Sequence, residues 1–79
     1  MKEELTLGEY RVGKSFNPSG NKTVTDIKAK AAELIDLIEG IKMPPEDKVD
    51  LIKEKRRLII IAQDQIESAA MFAIKAATK

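Results

Sequence analysis

The sequence predicts an all-α protein: an antiparallel two-helix hairpin that follows a short N-terminal arm or helix and assembles as a homo-oligomer. Two segments carry apolar residues at helical spacing, and a double-proline turn separates them. The chain has 79 residues, too few to bury a large core alone, and it has no Cys for disulfides. We predict an arm over residues 1–22 and a hairpin over residues 23–79.

The first long helix is predicted over residues 23–40. Its apolar residues recur at three- and four-residue steps, which is typical of one buried helix face. These residues are Val24, Ile27, Ala31, Leu34, Ile35 and Ile38. Thr23, with an acidic partner at Asp26, fits an N-cap, and Asn21 is a second candidate. Gly40 is the expected C-terminal stop.

The second long helix is predicted over residues 45–77, because Pro45 fits a first helical turn and neither Pro nor Gly follows it. Residues 58–77 are apolar around most of the helix, so one shorter helix cannot cover them. We therefore predict that copies of the chain associate through this helix. The alternative is a kinked helix that folds back on itself, although nothing that causes a kink is present.

Composition argues against several classes of function. Without His or Cys, the chain lacks the commonest metal ligand and the usual acid or base, so we expect no catalytic residue, metal or cofactor. A net charge of +1 argues against binding of long nucleic acid. The apolar runs at 58–62 and 69–74 are too short to span a membrane, and residues 1–4 do not begin a signal peptide. A soluble cytoplasmic protein is expected.

Residues 8–15 match the letters of the P-loop, G-x-x-x-x-G-K-S. A P-loop follows a buried strand and opens a long helix. Residues 2–7 do not form such a strand pattern, and Pro18 would interrupt the helix almost at once. We therefore do not expect an NTPase.

The arm nonetheless collects side chains that suit nucleotides. Tyr10 and Phe16 can stack on bases, and Arg11 and Lys14 can meet phosphate oxygens. Lys28 lies in the first turns of the first long helix, where the helix dipole favours an anion. The alternative is structural, with the two aromatic rings only clamping the arm onto the hairpin.

Residues 10–38 also carry a distinctive string of residue types. They are Tyr10-Arg11-Val12-Gly13, Phe16-Asn17-Pro18-Ser19-Gly20-Asn21, Val24, Ile27-Lys28 and Ala31-Ala32-Glu33-Leu34-Ile35-Asp36. This pattern, over less than half of the chain, resembles a family of small phage proteins. These are the cyclic-nucleotide sponges that defeat the bacterial CBASS defence, related to the hairpin domain of anti-Thoeris sponges. The Phe-Asn-Pro-Ser-Gly-Asn string is the most specific part.

The resemblance implies a homohexamer that holds cyclic dinucleotides, and in some members trinucleotides, at subunit interfaces without cleaving them. It implies that Tyr10 stacks on a base and Lys28 meets a phosphate. Either Arg56 or Arg57 could serve a separate trinucleotide pocket, and a solvated basic face is the alternative for both. The candidate ligand-binding residues are Tyr10, Arg11, Gly13, Lys14, Phe16, Asn17, Ser19, Gly20, Asn21, Lys28, Arg56 and Arg57.

A second function is also compatible with the sequence. The apolar half of the second long helix, residues 58–77, could dock a partner helix and make the chain a protein-interaction or regulatory module.

Overall fold

The computed structural model describes residues 4–17 and 20–79, which form three helices and no strand. Helix α1 spans Leu7–Val12, α2 spans Lys22–Glu39 and α3 spans Val49–Ala77. The predicted all-α class is confirmed, and so is the packing of two long helices against each other. The homo-oligomer stays a prediction.

Helix α1 is short and is closed at both ends. The Thr6 hydroxyl accepts the N–H of Glu9, and the Glu9 carboxylate accepts the N–H of Thr6, which makes a capping box. Gly13 ends the helix with φ at 65°, a left-handed conformation that glycine adopts without a steric penalty. These caps explain how six residues hold a helical turn within the predicted arm.

Helix α2 begins one residue earlier than predicted. Asn21 is its N-cap, and the side-chain oxygen accepts the N–H of Val24 at 3.2 Å. Thr23, the other candidate cap, lies inside the helix. The helix ends at Glu39, and the Gly40 N–H donates to the carbonyls of Asp36 and Leu37.

Helix α3 begins at Val49, four residues after the predicted start at Pro45. The Lys48 N–H donates to the Pro45 carbonyl at 2.9 Å, so these residues form a separate turn. The Lys55 ammonium donates to the Lys42 carbonyl at 2.8 Å and holds the connection against the first turns of α3. The helix then continues to Ala77, so the kinked alternative is wrong.

The two long helices run antiparallel. Gln63 of α3 is only 2% exposed, and its amide donates to the carbonyl of Ile35 at 3.1 Å and to the Glu39 carboxylate at 3.0 Å. Arg56 pairs with the same Glu39 carboxylate at 3.0 Å. Thus α2 lies beside the central and C-terminal parts of α3, including the apolar half.

Helix α1 docks across this pair through its backbone. Gly8 lies directly against the backbone of Ala32, and its N–H donates to Asp36 Oδ1 at 2.7 Å. On the other side, Arg11 pairs with Asp64 at 2.7 Å and with Glu67. One short helix therefore contacts both long ones.

The hydrophobic core of a single chain is small. Within the described ranges, the buried hydrophobic residues are Val24, Ala32, Ile35, Ile59 and Ala70. On α3, the large apolar side chains that stay exposed are Val49, Leu51, Leu58, Ile60, Ile61, Met71 and Phe72. Helix α2 covers one face of α3 and leaves the other apolar faces open.

The dimensions of the chain agree with that small core. The principal extents are 49 × 32 × 12 Å, and the radius of gyration is 15.0 Å, against about 11.6 Å for a compact domain of this length. The accessible surface is 6112 Å², whereas about 4,800 Å² is typical of a compact protein of 8.8 kDa. None of the helices in the described part is long and apolar enough to cross a membrane.

Candidate functional site

A groove of about 460 Å³ lies where the arm meets the C-terminal part of α3. We call it the arm groove. Its lining residues are Tyr10, Arg11, Val12, Gly13, Phe16, Lys28, Glu67, Met71, Ile74 and Lys75. The fold therefore brings together five of the predicted site residues, Tyr10, Arg11, Gly13, Phe16 and Lys28, and adds a wall from α3.

Two aromatic rings of the groove are open to solvent. Tyr10 and Phe16 are each 73% exposed. Tyr10 lies on α1, whereas Phe16 follows the left-handed Gly13 and donates its N–H to the Gly13 carbonyl at 2.9 Å. Rings this exposed bury little surface within one chain, so they clamp the arm onto the hairpin only weakly. They offer flat apolar faces to a ligand.

Lys28 is the buried cation of the groove, at 6% exposure. Its ammonium donates to the Gly13 carbonyl at 2.8 Å and to the Phe16 carbonyl, and it lies 5.7 Å from the centre of the Phe16 ring. No carboxylate pairs with it among the residues that the structure describes. Lys28 thus fixes the turn that presents Phe16 and keeps a positive charge at the base of the groove.

Arg11 is engaged by two carboxylates of α3. The hydrogen bond from its guanidinium to Glu67 raises the pKa of Arg11, and burial opposes that rise. Asp64 accepts a second hydrogen bond from the same guanidinium. Arg11 therefore fixes α1 on α3 and offsets the charge of Glu67, a carboxylate that lines the groove.

Lys14 is also engaged. Its ammonium donates to the Glu9 carboxylate at 2.9 Å. This bond and the Thr6 N–H lower the pKa of Glu9. Lys14 is absent from the groove lining, so it belongs with the α1 caps and not with the aromatic rings.

The predicted turn residues hold one another. The Asn17 amide donates to the Asn21 carbonyl at 2.9 Å and to the Thr25 hydroxyl at 2.8 Å, while its oxygen accepts the Asn21 N–H. The Gly20 N–H donates to the Asn17 carbonyl, and φ at Gly20 is 65°. Asn17, Gly20 and Asn21 build the entry to α2, and none of them lines the groove. Ser19 lies outside the described residues.

The two candidate arginines of α3 lie away from the groove. Arg56 pairs with Glu39 at the C-terminal end of α2, and Arg57 pairs with Glu54 one turn earlier on α3. The Gln63 and Arg56 hydrogen bonds lower the pKa of Glu39, and the Arg57 hydrogen bond lowers that of Glu54. Within one chain, neither arginine joins the other predicted site residues.

The α3 wall was absent from the prediction. Glu67, Met71, Ile74 and Lys75 follow each other at helical spacing and share one face. The sequence carries that spacing, but it does not reveal that α1 packs beside this face.

A second cavity, of about 240 Å³, lies between the C-terminal end of α2 and the middle of α3. Apart from Lys55, its lining is apolar: Ile38, Ile41, Leu58, Ile59 and Ala62. The Lys55 ammonium is already bound to the Lys42 carbonyl. This cavity suits an apolar occupant and offers little to a nucleotide.

We compared the chain with known proteins. No protein-family model, no curated protein and no solved structure matches the chain.

Proposed function

We propose that the protein binds cyclic oligonucleotides in the arm groove and sequesters them without cleavage. Cyclic dinucleotides are the first candidates, and trinucleotides the second. The role is the one implied by the resemblance to phage sponges, capture of an immune signal before it reaches its receptor. The arm and the start of α2, which carry that resemblance, also supply one side of the groove.

The observation that carries the proposal is the combination of open aromatic rings with a buried ammonium that pairs with no carboxylate of the described residues. Tyr10 and Phe16 can each stack on a base, and Lys28 can meet a phosphodiester through its remaining N–H. A ligand with flat bases and negative phosphodiesters satisfies both parts.

Sequestration of a ligand requires few chemical groups beyond those that bind it. Tight binding requires burial and preorganised donors, and it needs neither a nucleophile nor a general base. The turn that presents Phe16 is fixed beforehand by Lys28, so little ordering is left for the ligand to induce.

Self-association would deepen the groove. Tyr10, Phe16, Met71 and Phe72 are all exposed in one chain, and a second copy could cover them around a ligand. A two-fold arrangement would place two Tyr10 rings and two Lys28 charges around one cyclic dinucleotide. We therefore propose that binding takes place at an interface between copies.

Replacing Tyr10 tests the proposal most directly. We expect Tyr10→Ala to weaken cyclic dinucleotide binding about tenfold or more, since base stacking on an aromatic ring contributes about 1–3 kcal/mol. Native mass spectrometry with a panel of cyclic di- and trinucleotides identifies the ligand and its stoichiometry. Titration calorimetry then measures the affinity.

Tyr10→Phe is the matched control, because it keeps the ring and should keep most of the affinity. Lys28→Ala should also weaken binding, but it removes the bonds to Gly13 and Phe16 as well, so Tyr10 gives the cleaner result. Equal affinity in Tyr10→Ala and the wild type would remove Tyr10 from the site. Failure of every cyclic nucleotide to bind would reject the proposal.

The second candidate is a protein-interaction module that docks a partner helix through residues 58–77. The exposed large apolar side chains within this segment favour it: Leu58, Ile60, Ile61, Met71 and Phe72. This function requires those side chains to be open in the free protein. A monomer in solution that binds no cyclic nucleotide would support it over the first proposal.

A further inference from the structure

Lys75 lines the arm groove from α3 and is not among the candidate residues predicted from the sequence. It lies in the last turn of α3 and follows Ile74 and Met71, which also line the groove. Its ammonium is 5.7 Å from the centre of the Phe72 ring. The side chain is exposed, and within residues 4–17 and 20–79 it forms no ion pair.

The other cations near the groove are already occupied. Arg11 is held by Asp64 and Glu67, and Lys28 has given two of its three N–H donors to backbone carbonyls. Lys75 donates to no described carboxylate or carbonyl, so its three N–H groups can turn to a ligand. It has the largest remaining capacity for an anion in this groove.

We propose that Lys75 is a binding residue of the arm groove and that its ammonium contacts a phosphodiester of the nucleotide. This inference rests on the proposed function and adds a residue from α3 to the arm groove, whose predicted residues lie in the arm and on α2. Lys28 and Lys75 are then two cations of the groove that pair with no carboxylate in the part of the chain that the structure describes. Each can pair with a negatively charged phosphodiester of a cyclic dinucleotide.

The surroundings of Lys75 strengthen this contact. Met71 and Ile74 line the groove together with Lys75, and the lining of the groove is mostly apolar. A charge-assisted hydrogen bond gains strength where water is partly excluded. Lys75 also follows the apolar wall along the helix, so a ligand stacked on Tyr10 or Phe16 can contact both that wall and the Lys75 ammonium.

The test compares Lys75→Met with Lys53→Met. Both substitutions remove a charge and keep an apolar stem. Lys53 is exposed on the same helix, 22 residues earlier, which places it about 33 Å away along the axis. Affinity for the cyclic dinucleotide that the wild type binds best is measured by calorimetry at low and high salt. Thermal unfolding followed by circular dichroism checks that the variants fold alike.

We expect Lys75→Met to weaken binding about tenfold and to reduce its salt dependence, because one charged contact is lost. Lys53→Met should bind within about twofold of the wild type. Lys75→Arg should recover most of the affinity, since it restores the charge.

Equal affinity and equal salt dependence in Lys75→Met and the wild type would overturn the inference and leave the proposed function standing. Equal weakening by Lys75→Met and Lys53→Met would also overturn it, because only the overall charge would then matter. A wild-type protein that binds no cyclic nucleotide would reject the proposed function itself, and this inference with it.

Discussion

Gly8 is the residue at which the short helix meets the long hairpin most closely. A Cβ built on it would lie 2.7 Å from the carbonyl carbon and 2.8 Å from the Cα of Ala32. These are backbone atoms of α2, and they cannot move aside as a flexible side chain can. The Gly8 N–H also donates to Asp36, so the close approach is fixed by a hydrogen bond. Only glycine fits this contact.

We expect Gly8→Ala to lower the free energy of unfolding by about 1–3 kcal/mol, because the added methyl group forces α1 away from α2. Urea unfolding at one fixed protein concentration measures the change. Gly40→Ala is the control: its Cβ would approach nothing closer than 3.5 Å, and its φ is −81°. That variant should stay within about 0.5 kcal/mol of the wild type. A Gly8→Ala variant as stable as Gly40→Ala would contradict the close packing.

The contacts of single residues were the hardest feature to predict from the sequence. Tyr10, Phe16 and Lys28 could be chosen because aromatic rings and a lysine suit nucleotides, and the structure does bring them to one groove. The pairing of Arg11 with Asp64 and Glu67 could not be predicted, because those residues are 53 and 56 positions apart in sequence. Such pairs depend on how α1 docks, and no local pattern encodes that docking.

At the scale of the element, α1 depends on its caps. The helix has six residues, fewer than an isolated helix needs in water. Its Glu9 carboxylate takes part in both the capping box and the Lys14 ion pair. Because these interactions favour the ionised form, the pKa of Glu9 is lower in the folded protein than its ordinary value of 4.5.

The sign of the pH dependence follows from that shift. The stabilisation by Glu9 is fully present above about pH 4.5, the value expected in the unfolded chain, and is lost as the pH falls through the lower folded pKa. We expect the backbone amide signals of Thr6 and Glu9 in NMR spectra to be constant from pH 8 to pH 5, then to shift as the acid breaks the capping box.

The Glu9→Gln variant distinguishes the titration of Glu9 from that of the other carboxylates. Glutamine can still accept the Thr6 N–H, but it cannot be protonated in this range. The titration of the Thr6 amide should therefore flatten in the variant. Glu39 and Glu54, whose pKa values are also lowered, should titrate as before. An unchanged Thr6 titration in Glu9→Gln would show that another group controls the cap.

The two long helices could be predicted because their apolar periodicity extends over many turns. Their first and last residues were harder to predict. The apolar spacing of α2 and the absence of breakers in α3 are strong local signals. The start of α3 shifted from Pro45 to Val49 because a turn closes between Pro45 and Lys48. The capping box of α1 is also a local signal, because Thr6 and Glu9 stand three residues apart in the sequence.

The whole chain has a larger accessible surface than a compact protein of the same mass. The accessible surface of 6112 Å² exceeds that of a compact protein of this size by about 1,300 Å². A stable interface buries about 800 Å² on each partner, so the excess could cover one such contact or more. The exposed apolar side chains of α3 are the natural place for it.

We expect the protein to sediment at micromolar concentration as a multiple of 8.8 kDa. Ile60→Lys should lower that mass, because it places a charge among the exposed apolar residues of α3. Analytical ultracentrifugation over a range of concentrations makes the measurement, with Lys30→Glu, a change at an exposed polar position of α2, as the control. A wild-type chain that sediments as a monomer would contradict both the self-association and the proposed interface site.

The arm groove draws its two sides from segments far apart in the chain, residues 10–16 and 67–75, and it exists only while α1 is docked. The docking of α1 and the binding of a ligand in the groove are therefore thermodynamically linked. A molecule that binds there favours the docked state by RT ln(1 + [L]/Kd), which is about 2.7 kcal/mol at a hundred times Kd. Amide hydrogens of α1 would then exchange more slowly with solvent, so a six-residue helix would report whether the groove is filled.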